Sequence, residues 1–236
     1  MNTSNNNAVM MYTKFDANAL NCGELTKNRA GGNQVSLTYN NNKRIVLQTP
    51  IVSVPFGLSE YTPENNAGPV KYSLDLSFKG SDTNSKVDTF MKLMKRIDER
   101  MIDIAVENSK TWFNKQMSRE IVEELYRPLV KPSKTPEKYA PTMKIKIRPS
   151  KNGEAFNLEA FTSDKQPFDM ADFQAGSTVK CIVDFSPVWF VNKQFGLTLN
   201  LMQMELVSLP SGKLHGFAFQ PEDDEDDIVS DEEEHY

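Results

Sequence analysis

The stretch STVKCIVDFSPVWFVNKQFGLTLNLMQMELV, Ser177 to Val207, decides how this chain is read. In its first part Val179, Cys181, Val183 and Phe185 alternate with Lys180, Asp184 and Ser186, the period-2 pattern of a half-buried strand. In its second part Leu197, Leu199 and Leu201 share a face opposite Thr198 and Asn200, but from Met202 the apolar set becomes Met202, Met204 and Leu206. A slip of one residue near Leu201 predicts a β-bulge or a barrel corner. Between the two strands, Pro187 to Gly196 carries Trp189, Phe190, Phe195 and Lys193, too much apolar surface for a solvated hairpin loop. Either these rings cap the core or they bind something flat.

Working outward, 236 residues with 39% hydrophobic content allow one domain with tails. No apolar run reaches ~18 residues, so no membrane-spanning helix is expected. Met1 to Asn7 lacks the basic and apolar regions of a signal peptide, and the expected location is intracellular. Two cysteines, Cys22 and Cys181, are too few for a disulfide framework, and Cys181 falls among core residues. The formal charge of -5 hides an asymmetry. Residues 221–236, PEDDEDDIVSDEEEHY, hold ten of the 32 carboxylates and no Lys or Arg, which leaves 27 basic against 22 acidic residues, or +5, for the body. Such a tail is expected to be disordered, as a solubility tail or as an interaction arm that competes for the body's own anion site.

Residues 1–33, rich in Asn, Gly and Thr, read as an irregular arm. Gln34 to Tyr39 and Lys43 to Gln48 flank Asn40, Asn41 and Asn42 and predict a hairpin. Pro50, Pro55, Pro63 and Pro69 limit Ile51 to Val54 to a short edge strand and leave Phe56 and Tyr61 on a loop. Lys71 to Lys79 alternates cleanly, with Tyr72, Leu74, Leu76 and Phe78 on one side. Ser85 and Asp88 give a capping pattern for a helix of about 25 residues, whose methionine stripe is core contact rather than a binding surface. Ser118 caps a shorter helix, and Pro128, Pro132, Pro136 and Pro141 make 128–141 an extended basic connector after a helical insertion over 85–127. Met143 to Pro149 then pairs with Glu154 to Phe161 across Asn152-Gly153. Its outward Lys144, Lys146 and Arg148, with Lys151 in the turn, are either a solvated face or an anion-facing stripe. The fold class expected is mainly β with inserted α: a small Greek-key barrel over residues 34–220, with a long helix between strands.

Much chemistry is missing. His215 and His235 are the only histidines, so a Cys/His metal site is not expected, and no cofactor motif is present. No phosphate-binding Gly-rich loop, nucleophile elbow or metalloprotease motif occurs, and the chain does not read as an enzyme.

The segments YSLDLSF, KIKI, GSTVKCIVDFSPVWF and LTLNLMQMELV, the inserted helices and an acidic tail ending in an aromatic resemble the single-stranded DNA-binding proteins of short-tailed bacteriophages. LQTPIVSVPFGLSEY resembles their relatives in nucleocytoplasmic large DNA viruses. The resemblance covers roughly Val35 to Val207 plus the tail. It implies an OB-fold barrel, single-stranded DNA as partner, and a role in viral DNA replication, recombination and repair within a replication compartment of the host nucleus or cytoplasm. It also implies that the tail residues Asp231, Glu232, Glu233, Glu234 and Tyr236 shield the groove and recruit a viral DNA polymerase or helicase/primase. Tyr72 and Pro187 match family positions. The family tends to have a tyrosine after the proline, where Val188 stands here, so Trp189 or Phe190 takes the stacking role.

The residues support the same function directly. Sequence-tolerant single-strand binding needs cations along a groove and aromatic faces for bases, each stack worth ~1–3 kcal/mol. Lys43, Arg44, Lys144, Lys146, Arg148 and Lys193 are candidates for the first, and Phe56, Tyr72, Trp189, Phe190 and Phe195 for the second. Two rival readings stay open, an acidic-tailed chaperone of basic proteins and a virion or scaffold protein with an aromatic assembly loop. A homodimer also stays open.

Overall fold

The computed structural model describes residues 9–40, 43–66, 68–150 and 158–210. The acidic tail over 221–236, His215, and the Asn152-Gly153 turn with Lys151 lie outside them. The elements that place the site are, in chain order, β1 Leu20–Lys27, β2 Asn33–Tyr39, β3 Val46–Gln48, β4 Val52–Val54, β5 Lys71–Ser77, α1 Ser85–Glu107, α2 Ser109–Phe113, α3 Arg119–Leu125, β6 Thr142–Ile147, β7 Ser177–Phe185, β8 Val188–Val191, β9 Gln194–Gly196 and β10 Leu199–Ser208.

Five strands close on themselves. β4 pairs with β5, β5 with β6, β6 with β10, β10 with β7, and β7 returns to β4. All these pairs are antiparallel except β6 with β10. The ring is a Greek-key barrel of the OB kind, mainly β, with the helices inserted between its second and third strands. Alternation along β7 and β10 sends Val179, Cys181, Val183, Leu199, Leu201, Met204 and Leu206 inside. The expected phase slip is a bulge: Ile182 faces Gln203 and Val183 faces Leu201, so Met202 is the extra residue.

α1 closes part of the core. Its cap is Asn84 rather than Ser85, with Oδ1 accepting from the amides of Lys86 at 3.0 Å and Val87 at 3.4 Å. The buried stripe holds Val87, Phe90, Met94, Ile97, Met101 and Ala105, so these methionines are core contacts, as their spacing suggested. Phe90 packs on Phe78 just past β5, with ring centroids 5.9 Å apart, and edge-on to Tyr12 at 5.6 Å. Truncating such a ring to Ala costs about 3–5 kcal/mol.

Four local expectations are corrected. Leu20–Lys27 is a strand, not part of an irregular arm, because it pairs along β2. β2 does not form a hairpin with Lys43 to Gln48; after a bridge between Tyr39 and Lys43 the chain enters the barrel, where β3 lies beside β7. Glu159–Thr162 does not pair with β6, whose two edges are taken by β5 and β10, but runs parallel to Gln203 to Leu206 of β10. The second sheet has the order β1, β2, β8, β9, Tyr126–Arg127, so the segment read as an aromatic loop is itself a hairpin inside a sheet.

Candidate nucleic-acid interface

Along β6 Met143, Ile145 and Ile147 point into the barrel, which puts Lys144 and Lys146 on its outer face. Register places Lys146 beside Ser73 of β5 and Asn200 of β10, and Asn200 beside Asp184 of β7. A polar row therefore crosses four strands. Lys144 is neutralised by Asp75 at 2.9 Å. Lys146 has no such carboxylate among the described residues; its Nζ reaches only Thr198 Oγ1, at 3.5 Å. Burial by the surrounding walls pushes the Lys146 ammonium below the usual lysine range, and repulsion from Lys71 and Lys131 adds to the effect. An anion laid across this row would relieve that repulsion.

The hairpin β8–β9 rises over the row. Its turn residues Asn192 and Lys193 both have positive φ, 50° and 67°, as a tight right-twisted hairpin requires. Its neck is held by the Ser186 amide donating to the Thr198 carbonyl at 2.9 Å. Alternation then divides the rings. Val188, Phe190 and Phe195 share one face, where Phe190 and Phe195 stack at 6.0 Å and Trp112 of α2 meets Phe190 edge-on at 5.5 Å. Trp189 takes the opposite face, half-buried, above Gly196. A Cβ at Gly196 would lie 2.9 Å from the Trp189 ring and 2.9 Å from the Arg127 carbonyl, so only glycine lets the indole rest on the backbone.

Beside Trp189 opens a cleft of about 750 Å³ walled by Gln34, Lys146, Ser186, Thr198 and Asn200. A smaller hollow of about 150 Å³, walled by Arg127, Lys131, Lys144 and Lys146, shares Trp189, Lys146 and Thr198 with it. A separate hollow of about 380 Å³ lies farther along β7 and β10, but its Lys180 is already paired with Glu205 at 2.7 Å.

A family described as "Family of unknown function (DUF5871)" matches residues 74–217, more than half of the chain. The chain belongs to DUF5871. The DUF5871 span begins within β5 and runs past β10, so it holds Lys144, Lys146, Arg148, Asp184, Trp189 and Asn200, while Arg44 precedes it. No curated protein matches the chain. Among solved structures it is similar to gp2.5, a single-stranded DNA binding protein encoded by bacteriophage T7, at 15% identity and a TM-score of 0.47, covering 71% of this chain and 93% of that one. It is also similar to the single-stranded DNA-binding protein of bacteriophage Enc34 in complex with ssDNA, at 13% identity and a TM-score of 0.43, covering 80% and 98%.

Of the residues singled out from the sequence, the fold brings Lys144, Lys146 and Trp189 together, with Arg148 and Arg44 on Asp184 at the end of the Lys146 row. Phe195 is corrected to core: it is 0% exposed, and its ring is spent on Phe113, Tyr126 and Phe190. Phe190 packs on the same cluster. Tyr72 pairs with Ile147 on the inward side and is half-buried against the core. Phe56, 62% exposed, stands on the loop from β4 to β5, and Lys193 lies at the hairpin tip with Phe190. Lys43 is exposed at the bridge to Tyr39. Val188 is buried against Val35, and the next residue, Trp189, lines the cleft. Sequence reasoning missed Lys71, Lys131 and Arg127 as members of the basic surface. Lys71 was visible as the next polar residue on the alternating face of β5, whereas Arg127 and Lys131 reach the cleft only through the insertion's return path.

Proposed function

We propose that this DUF5871 protein binds single-stranded DNA with little sequence preference, in the cleft along the outer face of β6. The observation that carries the reading is the half-buried indole of Trp189, backed by Gly196 and set beside Lys146, whose charge no carboxylate among the described residues neutralises. Phosphates supply the missing anions, and a flat ring accepts a base of any identity. In a duplex the base faces are already stacked on one another, so the ring has nothing to receive.

The test is a titration with oligothymidylate followed by tryptophan emission. The chain has two tryptophans, and Trp112 is 5% exposed inside the aromatic cluster, so quenching reports on Trp189. Quenching is expected, with log K falling by about 0.7 per phosphate contact for each decade of salt, and with weaker binding to duplex. Salt-independent affinity, or equal affinity for duplex, rejects the reading. The tail belongs to the same mechanism: its ten carboxylates compete for the cleft's cations, and DNA displaces them. Once free, Asp231 to Glu234 and Tyr236 dock on a polymerase or helicase/primase of viral DNA replication.

A further inference from the structure

We propose that Asp184 is the positioning residue of a two-arginine phosphate clamp at the edge of the cleft. This rests on the single-stranded DNA reading above and adds a backbone-phosphate subsite to it. Asp184 lies on the outer face of β7, where a solvated carboxylate would be ordinary, yet its side chain is only 4% exposed. Two guanidiniums from distant parts of the chain cover it. Arg44, just before β3, donates from Nε to Oδ1 at 2.7 Å and from Nη2 to Oδ2 at 2.6 Å. Arg148, just past β6, donates from Nη2 to the same Oδ2.

One carboxylate facing two cations leaves a net positive charge, and most of the five N–H donors on each guanidinium remain unspent on it. Both arginines stay open to solvent, with side chains 40% and 51% exposed. The register fixes where this surplus lies: Asp184 is opposite Asn200, and Asn200 is opposite Lys146 in the cleft floor. Lys146 and Arg148 are two residues apart across the end of β6, about 6.6 Å in extended chain, close to one step of an extended nucleotide chain. The line of cations thus continues beyond Lys146. A forked guanidinium suits the two free oxygens of a phosphodiester, and the shared carboxylate holds two mutually repelling forks around one point.

The sign of one substitution separates positioning from bulk charge. Asp184→Asn removes a negative charge from a face that binds an anion, so charge alone predicts tighter DNA binding. Positioning predicts weaker binding. With oligothymidylate at about 50 mM salt, affinity should fall about ten-fold, the worth of one charge-assisted hydrogen bond, and the salt slope should become shallower by about 0.7. Arg44→Lys keeps the charge, breaks the fork, and should weaken binding by about three- to ten-fold. Thermal melting run alongside identifies any variant that does not fold, and the other variant then decides. Unchanged or tighter binding by a folded variant overturns the clamp and leaves the single-stranded DNA reading standing. Failure of the unaltered chain to bind oligothymidylate overturns both.

Discussion

Trp189 and Phe195 belong to one short hairpin, face opposite ways, and should answer the same substitution in opposite currencies. Trp189→Ala is expected to weaken oligothymidylate binding by ~1–3 kcal/mol while the melting temperature holds. Phe195→Ala is expected to cost about 3–5 kcal/mol of stability, because it empties a site packed by Trp112, Phe113, Tyr126 and Phe190. Titration and melting on both variants check the pair, and a Trp189→Ala protein that melts early would make that ring structural. The alternation of the sequence placed the two rings in one segment but did not say which was which. That depended on α2, far away in the chain, arriving on one face of the hairpin and not the other.

At the level of elements, α1 is tied to the cleft wall through one buried acid. Asp98 accepts from the Tyr126 hydroxyl at 2.7 Å and from the amides of Leu129 at 2.9 Å and Val130 at 3.4 Å, on the segment that also carries Arg127 and Lys131. Burial pushes its carboxyl up to about 6, against the opposing pull of those donors. A folded-state value raised above the unfolded one, near 3.9, gives stability that is whole below about pH 4 and is lost as pH rises through about 6. Relative to Asp98→Asn, the unaltered protein should therefore lose about 2–3 kcal/mol between pH 4 and 7. Chemical unfolding of both at several pH values measures it, and parallel curves would refute it. The hairpin turn offers a second check. Lys193→Gly relieves a φ of 67° and should raise stability by up to about 1 kcal/mol. Because Lys193 sits on the Phe190 side, DNA affinity should stay within about two-fold; a loss of one phosphate's worth of salt slope would put it back in the interface. Strand periodicity and the bulge at Met202 were legible because they are local. The pairings of β2 and of Glu159–Thr162 were not: β2 is paired by β1 and by the distant β8 in the second sheet, and both edges of β6 are taken by β5 and β10 before Glu159–Thr162 can reach it.

For the whole molecule, the separation of a +5 body from a ten-carboxylate tail predicts self-competition. Removing residues 222–236 should raise single-strand affinity several-fold, most at low salt, where screening is weakest, and should abolish partner recruitment. Equal affinities at low salt would refute the shielding. The barrel's own closure has a different consequence. Ser53 of β4 pairs with Thr178 of β7, over half the chain away, and the cleft floor needs β10, which ends at Ser208. Bringing such distant segments together costs about 4 kcal/mol of chain entropy, which only the completed ring repays. During synthesis, at about 5–20 residues per second, the basic strands emerge well before the surface they will form. Ribosome-held chains stopped before Leu199 should retain no oligonucleotide, and those with Ser208 free of the ribosome should. On the proposed function, competence would then arrive in one step, when β10 docks and the last side of the ring closes.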